Sequence, residues 1–303
     1  MKVVKTGDEI TVDFAGTDPQ TAGPINAPLS VTASGVYCGL KTAIDPNSLI
    51  PPNSGCWRAI TVTAPKGSLL NAEFPSPVVY ANHEISHRLA DMVMGALVHF
   101  WPGQVMACSQ GTSAILTLGG VDPRTGNRYV SYETIKGGFG ARPNKDGINT
   151  IASGISNTMN TPVEVLEMAF PIRILEYAIA PDTGGAGRFR GGNGARRTWQ
   201  LLDEAQATGT LCMERMTSAP FGLAGGRAGA AATVTIRTPD GETRSLPSKG
   251  AFKVPGGSVI DMLTPGSGGF GDPVERDPEA VKRDLEEGYV TPDGVKRDYG
   301  LKG

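Results

Sequence analysis

Glycine and proline interrupt this chain so often that no regular element can run far. The sequence has 41 glycines and 23 prolines in 303 residues, whereas average usage is roughly 7% glycine and 5% proline. A disordered chain would lack apolar runs, yet short stretches rich in valine, isoleucine and leucine lie between the interruptions. The pattern predicts an α+β fold, a β-rich and glycine-rich single domain.

One segment has the spacing of a long amphipathic helix. Residues 85–100 place apolar side chains every third or fourth position, as in a helix with one buried face. The small residues of 29–42 are compatible with a second helix that packs closely through alanine and glycine, but their pattern is ambiguous. Alternating stretches predict short strands, and Pro239-Asp240-Gly241 supplies the turn of a hairpin.

The two ends of the chain differ in character. Residues 9–13 read as a strand without a lead-in element, so we expect another chain to cover its edges. Near the other end, DPEAVKRDLEEG and TPDGVKRDYG each combine a capping residue, an early proline and a final glycine. We therefore predict a domain over residues 1–273 and a charged helical tail over residues 274–303.

Composition argues against several classes of partner. The 28 basic and 30 acidic residues give no field that would attract nucleic acid or an anionic membrane, so neither is expected as a partner. We find no signal-peptide pattern and no apolar run of about 20 residues. The four cysteines are far apart, which favours a reducing, cytoplasmic location.

The segment His83-Glu84-Ile85-Ser86-His87 has the spacing of a helical zinc motif. The remaining histidine, His99, lies further along the same predicted helix, and no downstream residue stands out as a third ligand. A metallopeptidase is therefore disfavoured. The alternative is an ordinary helix start in which Asn82 caps the helix and Glu84 favours its dipole.

Two glycine-rich segments have spacings seen in phosphate-binding loops. Residues 266–271 fit G-x-G-x-x-G, but Asp272-Pro273 follows where a dinucleotide fold needs a helix, so we favour a tight turn. Residues 184–197 contain four arginines that could bind an anion, although surface turns with solvated arginines are the favoured interpretation. Those arginines are Arg188, Arg190, Arg196 and Arg197. The sequence contains no P-loop motif.

Polar residues also stand among apolar runs at 109–112 and 132–134. Such groups cost free energy when they are buried without a partner, so they either line a site or cap turns. The pattern alone leaves both interpretations open.

Several motifs, taken in order, resemble the hydantoinase B/oxoprolinase family. The resemblance covers essentially the whole chain, and the ordered set is far more specific than any single motif. The motifs are VDFAGTDPQTAGPINAPLSVT, PPNSGCWRAITVTAPKGSLLNAEFPSPV, ANHEISHR, SQGT, YETIKGGFGARPNKDG, NTMNTPVEVLE, DTGGAGRFRGG, FGLAGG and TPGSGGFGDPVERDPEAVKRDLEEGYVT.

The resemblance implies a split subunit, because it covers only the C-terminal part of the usual family chain. In such proteins a preceding region carries a histidine and aspartate metal site, and a separate subunit with an actin-like ATPase fold phosphorylates the substrate. The implied partners are therefore a hydantoinase A-type ATPase subunit and an N-terminal hydantoinase B-type chain. ATP and a divalent metal (zinc, manganese or magnesium) are expected on those partners and not on this chain.

The implied activity is ATP-dependent opening of a cyclic amide such as a hydantoin, oxoproline or a lactam. ATP-dependent carboxylation of a ketone is the nearest alternative, and a non-catalytic scaffold is the third. The residues that stand in family-like motifs, and are expected to line the site, are Asn82, Glu84, Ser109, Gln110, Glu133 and Arg142. Glu84 or Glu133 would assist proton transfer and Arg142 would hold phosphate or carboxylate. His87 stands where the resemblance leads us to expect glutamine.

Overall fold

Three β-sheets and five α-helices make up the part of the chain that a computed structural model describes, residues 1–152 and 154–300. The helices are α1 (Leu29–Ile44), α2 (Ser86–Leu97), α3 (Val163–Ala169), α4 (Pro278–Glu286) and α5 (Pro292–Tyr299). The strands are β1 (Lys2–Thr6), β2 (Glu9–Asp13), β3 (Ile60–Thr63), β4 (Ile115–Val121), β5 (Arg128–Thr134), β6 (Ile172–Ile179), β7 (Ala195–Leu201), β8 (Gln206–Cys212), β9 (Thr233–Arg237), β10 (Thr243–Ser245), β11 (Lys249–Val254) and β12 (Val259–Leu263).

The first sheet corrects one expectation. Strand β2 lies between β1, which is antiparallel to it, and β3, which is parallel to it. A turn that contains Gly7 with φ of 55° joins β1 to β2. The expectation of a strand that needs another chain at its edges was therefore wrong for β2, because a hairpin precedes it and both of its edges are paired within this chain.

Helices α1 and α2 pack against each other and against this sheet. A Cβ atom on Gly39 would lie only 2.8 Å from Cβ of Val93, and one on Gly35 would lie 2.9 Å from Cβ of Leu89. Glycine therefore allows the close approach that the sequence predicted for α1. Helix α2 lies within the predicted segment 85–100, buries Leu89, Val93 and Leu97, and ends at Leu97.

The turn before α2 is a π-helix, Ala81–Ile85, that continues directly into α2. Asn82 lies inside this turn, and no side chain caps its start at Tyr80. The prediction that Asn82 is a helix cap was therefore wrong. A π-turn holds an extra residue per turn, and such turns often occur at functional sites.

The remaining nine strands form two sheets that share one apolar core. The five-stranded sheet has the order β10-β9-β12-β7-β6, and the four-stranded sheet has the order β11-β8-β4-β5. Trp199, Ile236 and Ile260 of the five-stranded sheet pack with Leu116 and Leu211 of the four-stranded sheet. Each of these side chains is 2% exposed or less. The predicted 239–241 hairpin is confirmed as β9 and β10.

Extended glycine-rich segments run between the helical layer and the two sheets, and we call them the glycine-packed core (residues 137–141, 184–194, 222–229 and 264–271). Their backbones bond directly to each other: Gly192 N–H donates to Phe139 O (3.1 Å) and Ser267 N–H donates to Gly192 O (3.0 Å). A Cβ atom on Gly138 would lie 2.0 Å from Gly192 O. A Cβ atom on Gly266 or Gly268 would lie within 1.9 Å of another segment's carbonyl oxygen, so these glycines serve close backbone packing and the predicted tight turn was wrong.

Two of the four arginines predicted at the surface are buried. Arg190 is 3% exposed and donates from Nε to Asp284 Oδ2 of α4 (3.1 Å). Arg197 is fully buried, whereas Arg188 and Arg196 are exposed. The prediction of solvated arginines was thus wrong for Arg190 and Arg197, because each has an acidic partner inside the fold.

The two predicted C-terminal helices are confirmed. The Asp277 side chain caps α4, and the Thr291 side chain caps α5, accepting from Gly294 N–H (3.0 Å). Gly300 ends α5 in a left-handed conformation. None of the helices in the described part of the chain is long and apolar enough to cross a membrane.

Candidate functional site

A polar cavity of about 420 Å³ lies where the helical layer meets the four-stranded sheet. Its walls come from the π-turn and the start of α2, from Ser113, from the end of β5, and from residues 155–161. Most of these side chains are hydroxyls, amides or imidazoles. The cavity therefore offers hydrogen-bonding groups and a volume typical of a small-molecule site.

Neighbouring residues of the π-turn before α2 line two different cavities. Asn82 and His83 line the polar cavity, whereas Glu84 lines a second, more apolar cavity of about 460 Å³. His87, one turn later, again lines the polar cavity. The two histidines of the predicted metal motif thus meet on one side, and the glutamate between them does not.

Both histidines are held in the neutral form by their surroundings. Burial lowers the pKa of His87 to about 4 and also lowers the pKa of His83. The Nε2 atom of His87 lies 3.4 Å from Ser113 Oγ. In the part of the chain that the structure describes, no three histidine, cysteine or acidic side chains are grouped so that they could hold a metal ion. The histidine pair therefore has no third ligand among those residues.

Lys136 is a lining residue that the sequence interpretation missed. Its side chain is 3% exposed and donates from Nζ to Thr134 Oγ1 (3.2 Å). Burial lowers its pKa. Lys136 lies in the same YETIKGG motif as Glu133, so the signal was present, but a lysine at a strand end is usually a solvated residue.

Glu133 lines the polar cavity, although its carboxylate is bound on the inner side of the sheet. Arg197 Nη2 and Trp199 Nε1 each donate to one carboxylate oxygen at 2.7 Å. The guanidinium of Arg197 also lies 4.5 Å from the ring centre of Tyr177. Burial raises the pKa of Glu133, and the charge of Arg197 opposes that rise. The predicted proton-transfer role of Glu133 stays a prediction, and a structural role competes with it.

Glu84 lies behind the polar cavity. Burial raises its pKa to about 8, so the carboxyl is largely protonated at neutral pH. Ser113 N–H donates to its Oε1 (3.3 Å), while Oε2 has no hydrogen-bond partner among the described residues. Since Ser113 lines the polar cavity, Glu84 is one residue removed from it.

Ser109 and Gln110 lie deeper, beside the glycine-packed core. Gly140 N–H donates to Ser109 Oγ (3.2 Å), and Gln110 N–H donates to Gly138 O (2.8 Å). Ser109 and His87 also line a small cavity of about 50 Å³. Ser109 and Gln110 are therefore not part of the lining of the polar cavity.

A buried cluster of Asp91, Cys108 and Arg215, which sequence reasoning missed, adjoins Ser109. Asp91 of α2 accepts from Ser109 N–H (3.1 Å) and from Cys108 Sγ (3.2 Å). Arg215 Nη2 lies 2.8 Å from the same sulfur and 3.5 Å from Asp91 Oδ2. Burial raises the pKa of Asp91 to about 6. The spacing of these residues along the chain gives no signal for this cluster.

Arg142 does not line the polar cavity. Its Nη2 donates to Asp146 O (2.7 Å), and its guanidinium lies 5.8 Å from the ring centre of Phe139. Of the six predicted site residues, the structure thus brings Asn82 and Glu133 to the polar cavity and places Glu84 next to its wall. Their roles in a reaction stay predictions.

Comparisons with known proteins identify relatives of this chain. The family model described as hydantoinase B/oxoprolinase matches residues 1–273. The B-type component of a putative D-/L-hydantoinase from a Pseudomonas species is 34% identical over 97% of this chain and 50% of that protein. The crystal structure of the ATP-dependent caprolactamase from Pseudomonas jessenii aligns with a TM-score of 0.86 at 30% identity, over 99% of this chain and 52% of that chain.

A nucleotide-free structure of acetone carboxylase aligns with a TM-score of 0.85 at 21% identity, over 98% of this chain and 44% of that chain. At this identity the likeness shows a shared fold alone. The chain spans about half the length of the hydantoinase and caprolactamase components it matches, and 19% of the 5-oxoprolinase from Dictyostelium discoideum.

Proposed function

Because this chain belongs to the hydantoinase B/oxoprolinase family, we propose that it is a component of an ATP-dependent hydrolase that opens a small cyclic amide. Its relatives include the B-type component of a hydantoinase, a 5-oxoprolinase and the beta component of a caprolactamase. The polar cavity is the observation that carries the proposal for this chain. Its 420 Å³ suit a small ring, and its walls offer both donors and acceptors.

The residues around the polar cavity suggest a division of roles. The Asn82 amide and the Ser113 and Thr134 hydroxyls bind and orient the amide group of the ring. His83 is neutral at the cavity wall, so its free imidazole nitrogen accepts a proton. Glu84, with a pKa of about 8, keeps its proton near neutral pH, and its carboxyl accepts from Ser113 N–H and so positions Ser113 in the cavity wall.

The described residues of this chain do not offer a set of ligands for a metal ion. The described residues contain no metal-binding group of three, and the sequence has no P-loop. We therefore assign ATP to a hydantoinase A-type ATPase subunit, and the divalent metal (zinc, manganese or magnesium) to an N-terminal hydantoinase B-type chain. Such a metal would supply Lewis-acid activation of the amide carbonyl. Two of the relatives are named as subunits, which supports partner subunits in general.

Co-expression with those two partners tests the proposal. The purified complex is expected to open one member of a panel of hydantoins, oxoproline and caprolactam in an ATP-dependent reaction. Asn82→Ala should lower this turnover at least tenfold if the amide orients the ring, whereas Asn144→Ala, an exposed asparagine outside the cavity, should leave it unchanged.

Two other results would contradict the proposal in different ways. ATP consumption that requires bicarbonate and a ketone would identify a carboxylase component. Full turnover by complexes that carry both Asn82→Ala and Glu84→Gln would instead show that this chain is a scaffold whose cavity takes no part in the reaction.

A further inference from the structure

The polar cavity contains a buried cation without a counter-ion among the described residues. Lys136 is 3% exposed, and the one hydrogen bond of its ammonium group to the described residues goes to the neutral hydroxyl of Thr134 at 3.2 Å. An ammonium group carries three donors, so two remain for another acceptor. No described carboxylate lies within salt-bridge distance of Lys136 Nζ, and burial lowers the pKa of this group.

The acidic residue at the cavity does not neutralise Lys136. Glu133 pairs through both carboxylate oxygens with Arg197 and Trp199, so its charge is already balanced on the inner side of the sheet. His83 and His87 are uncharged near neutral pH, because burial lowers both pKa values. Protonated Lys136 therefore leaves the cavity with an excess of positive charge.

The rest of the cavity wall suits a ligand with several acceptor oxygens. Around Lys136 lie the Asn82 amide, the Ser113 hydroxyl, and the hydroxyls and amides of residues 156–161. These groups donate hydrogen bonds without adding charge. One cation surrounded by neutral donors is the arrangement that recognises a small oxyanion, because charge-assisted hydrogen bonds to such a group are strong.

We propose that Lys136 makes the polar cavity an oxyanion-binding site, in which its ammonium group contacts a carboxylate or phosphate of a small ligand. The ligand supplies the missing counter-ion and accepts the two donors that Lys136 leaves unused. The identification of this oxyanion as a group on the substrate, or on its phosphorylated form, rests on the proposed function. Binding itself rests on the cavity alone.

Equilibrium binding to the full chain tests the site with two probes, inorganic phosphate and acetate, at constant ionic strength. Lys136→Met should weaken binding of the preferred probe by about tenfold or more, as expected for a lost charged hydrogen bond. Lys136→Arg keeps the charge and should retain part of the affinity. Lys66→Met, at an exposed turn outside the cavity, is the matched control and should bind like the wild type.

Unfolding measurements separate this role from a structural one. A buried lysine without an acidic partner costs stability, so Lys136→Met should be as stable as the wild type or more stable when no anion is present. Added anion should raise the melting temperature of the wild type and not that of Lys136→Met.

The two probes also distinguish the sources of the oxyanion. Preference for phosphate points to a phosphorylated ligand, and preference for acetate points to a carboxylate. If neither probe binds, or if both bind equally to the wild type and Lys136→Met, the site is wrong. Ring-opening turnover without anion binding would reject the oxyanion site and support the proposed hydrolase function. Anion binding without turnover would support the oxyanion site and contradict the hydrolase function.

Discussion

Glu84 lies in the π-turn before α2, His87 and Asp91 lie on the turns of α2 that follow it, and all three are buried. Burial disfavours the charged form of each group, so it raises the pKa of both acids and lowers the pKa of the histidine. Perturbed groups of this kind concentrate at functional sites. They also make stability depend on pH, since each binds protons differently in the folded and unfolded chain.

As the pH rises, the free energy of unfolding of Glu84→Gln should fall less than that of the wild type. The unfolded carboxyl ionises near pH 4.5, whereas the folded one stays protonated up to about pH 8. Between these values the folded state binds more protons, so this contribution is full below pH 4.5 and is lost as the pH rises to 8. From pH 5 to pH 8 the wild type should lose on the order of 2–4 kcal/mol more than the variant.

Urea unfolding of both proteins at several pH values measures this difference. The free energy of unfolding should fall more steeply with pH for the wild type. Parallel pH profiles for the two proteins would contradict a buried, protonated Glu84.

Glu133→Gln should destabilise the fold by about 3–5 kcal/mol, because it leaves the buried guanidinium of Arg197 without a charge partner. Glu176→Gln is the matched control, since Glu176 faces Arg196 across 3.6 Å at the surface. That change should cost less than about 1 kcal/mol. Denaturant unfolding measures both, and an unaltered stability of Glu133→Gln would contradict a structural role for its ion pair with Arg197.

Hydrophobic periodicity predicted the regular elements well. The apolar spacing of residues 85–100 identified α2, and the small residues of 29–42 identified α1. Capping residues located α4 and α5, and the Pro239-Asp240-Gly241 turn located β9 and β10. Each of these signals is local, because it depends on contacts within one element or between adjacent ones.

The packing of the glycine segments could not be predicted in the same way. A glycine in a turn and a glycine against another backbone look alike in one sequence, and only the fold shows that Gly192 lies under Gly138. The same limit applied to the candidate site. Asn82, Glu133 and Arg142 were all predicted to line the site because they stand in family-like motifs. In the fold, Arg142 donates to Asp146 O instead, and the Glu133 carboxylate pairs with Arg197, which is distant in sequence.

Gly138→Ala tests the glycine-packed core. The added methyl would lie 2.0 Å from Gly192 O and 2.7 Å from Ser267 N, so backbone must move and the core should lose more than about 3 kcal/mol. Gly103→Ala has no atom within 4 Å of its added methyl and should change stability by less than about 1 kcal/mol. Thermal unfolding compares the two variants, and equal melting temperatures would contradict the close packing.

At the scale of the whole molecule, the C-terminal helices are joined to the glycine-packed core by buried ion pairs. Asp284 of α4 accepts from Arg190 Nε (3.1 Å) and from Arg276 Nη2 (2.6 Å). Arg276 also pairs with Asp146 at 2.7 Å. Residues 301–303 of the predicted charged helical tail (274–303) lie outside the described residues, and the described part of the tail is attached to the fold by these buried ion pairs.

Asp284→Asn should release α4 and α5 from the rest of the fold. The change leaves Arg190 and Arg276 with one carboxylate fewer in a buried place, at a cost of about 3 kcal/mol. Glu286→Gln, on the same helix and in an exposed pair 4.0 Å from Lys282, is the control. Limited proteolysis should cut the tail of Asp284→Asn faster, and equal cleavage rates would contradict docking through Asp284.

The glycine-packed core and the walls of the polar cavity differ in how far their residues can be substituted. Where backbones bond directly, as Gly192 does with Phe139 and Ser267, no side chain stands between them to be exchanged. The walls of the polar cavity are built differently, from side chains on residues 155–161 and at the end of β5. Changes in what the polar cavity binds should therefore arise by substitution in those walls, while the glycine segments stay fixed by their direct backbone contacts.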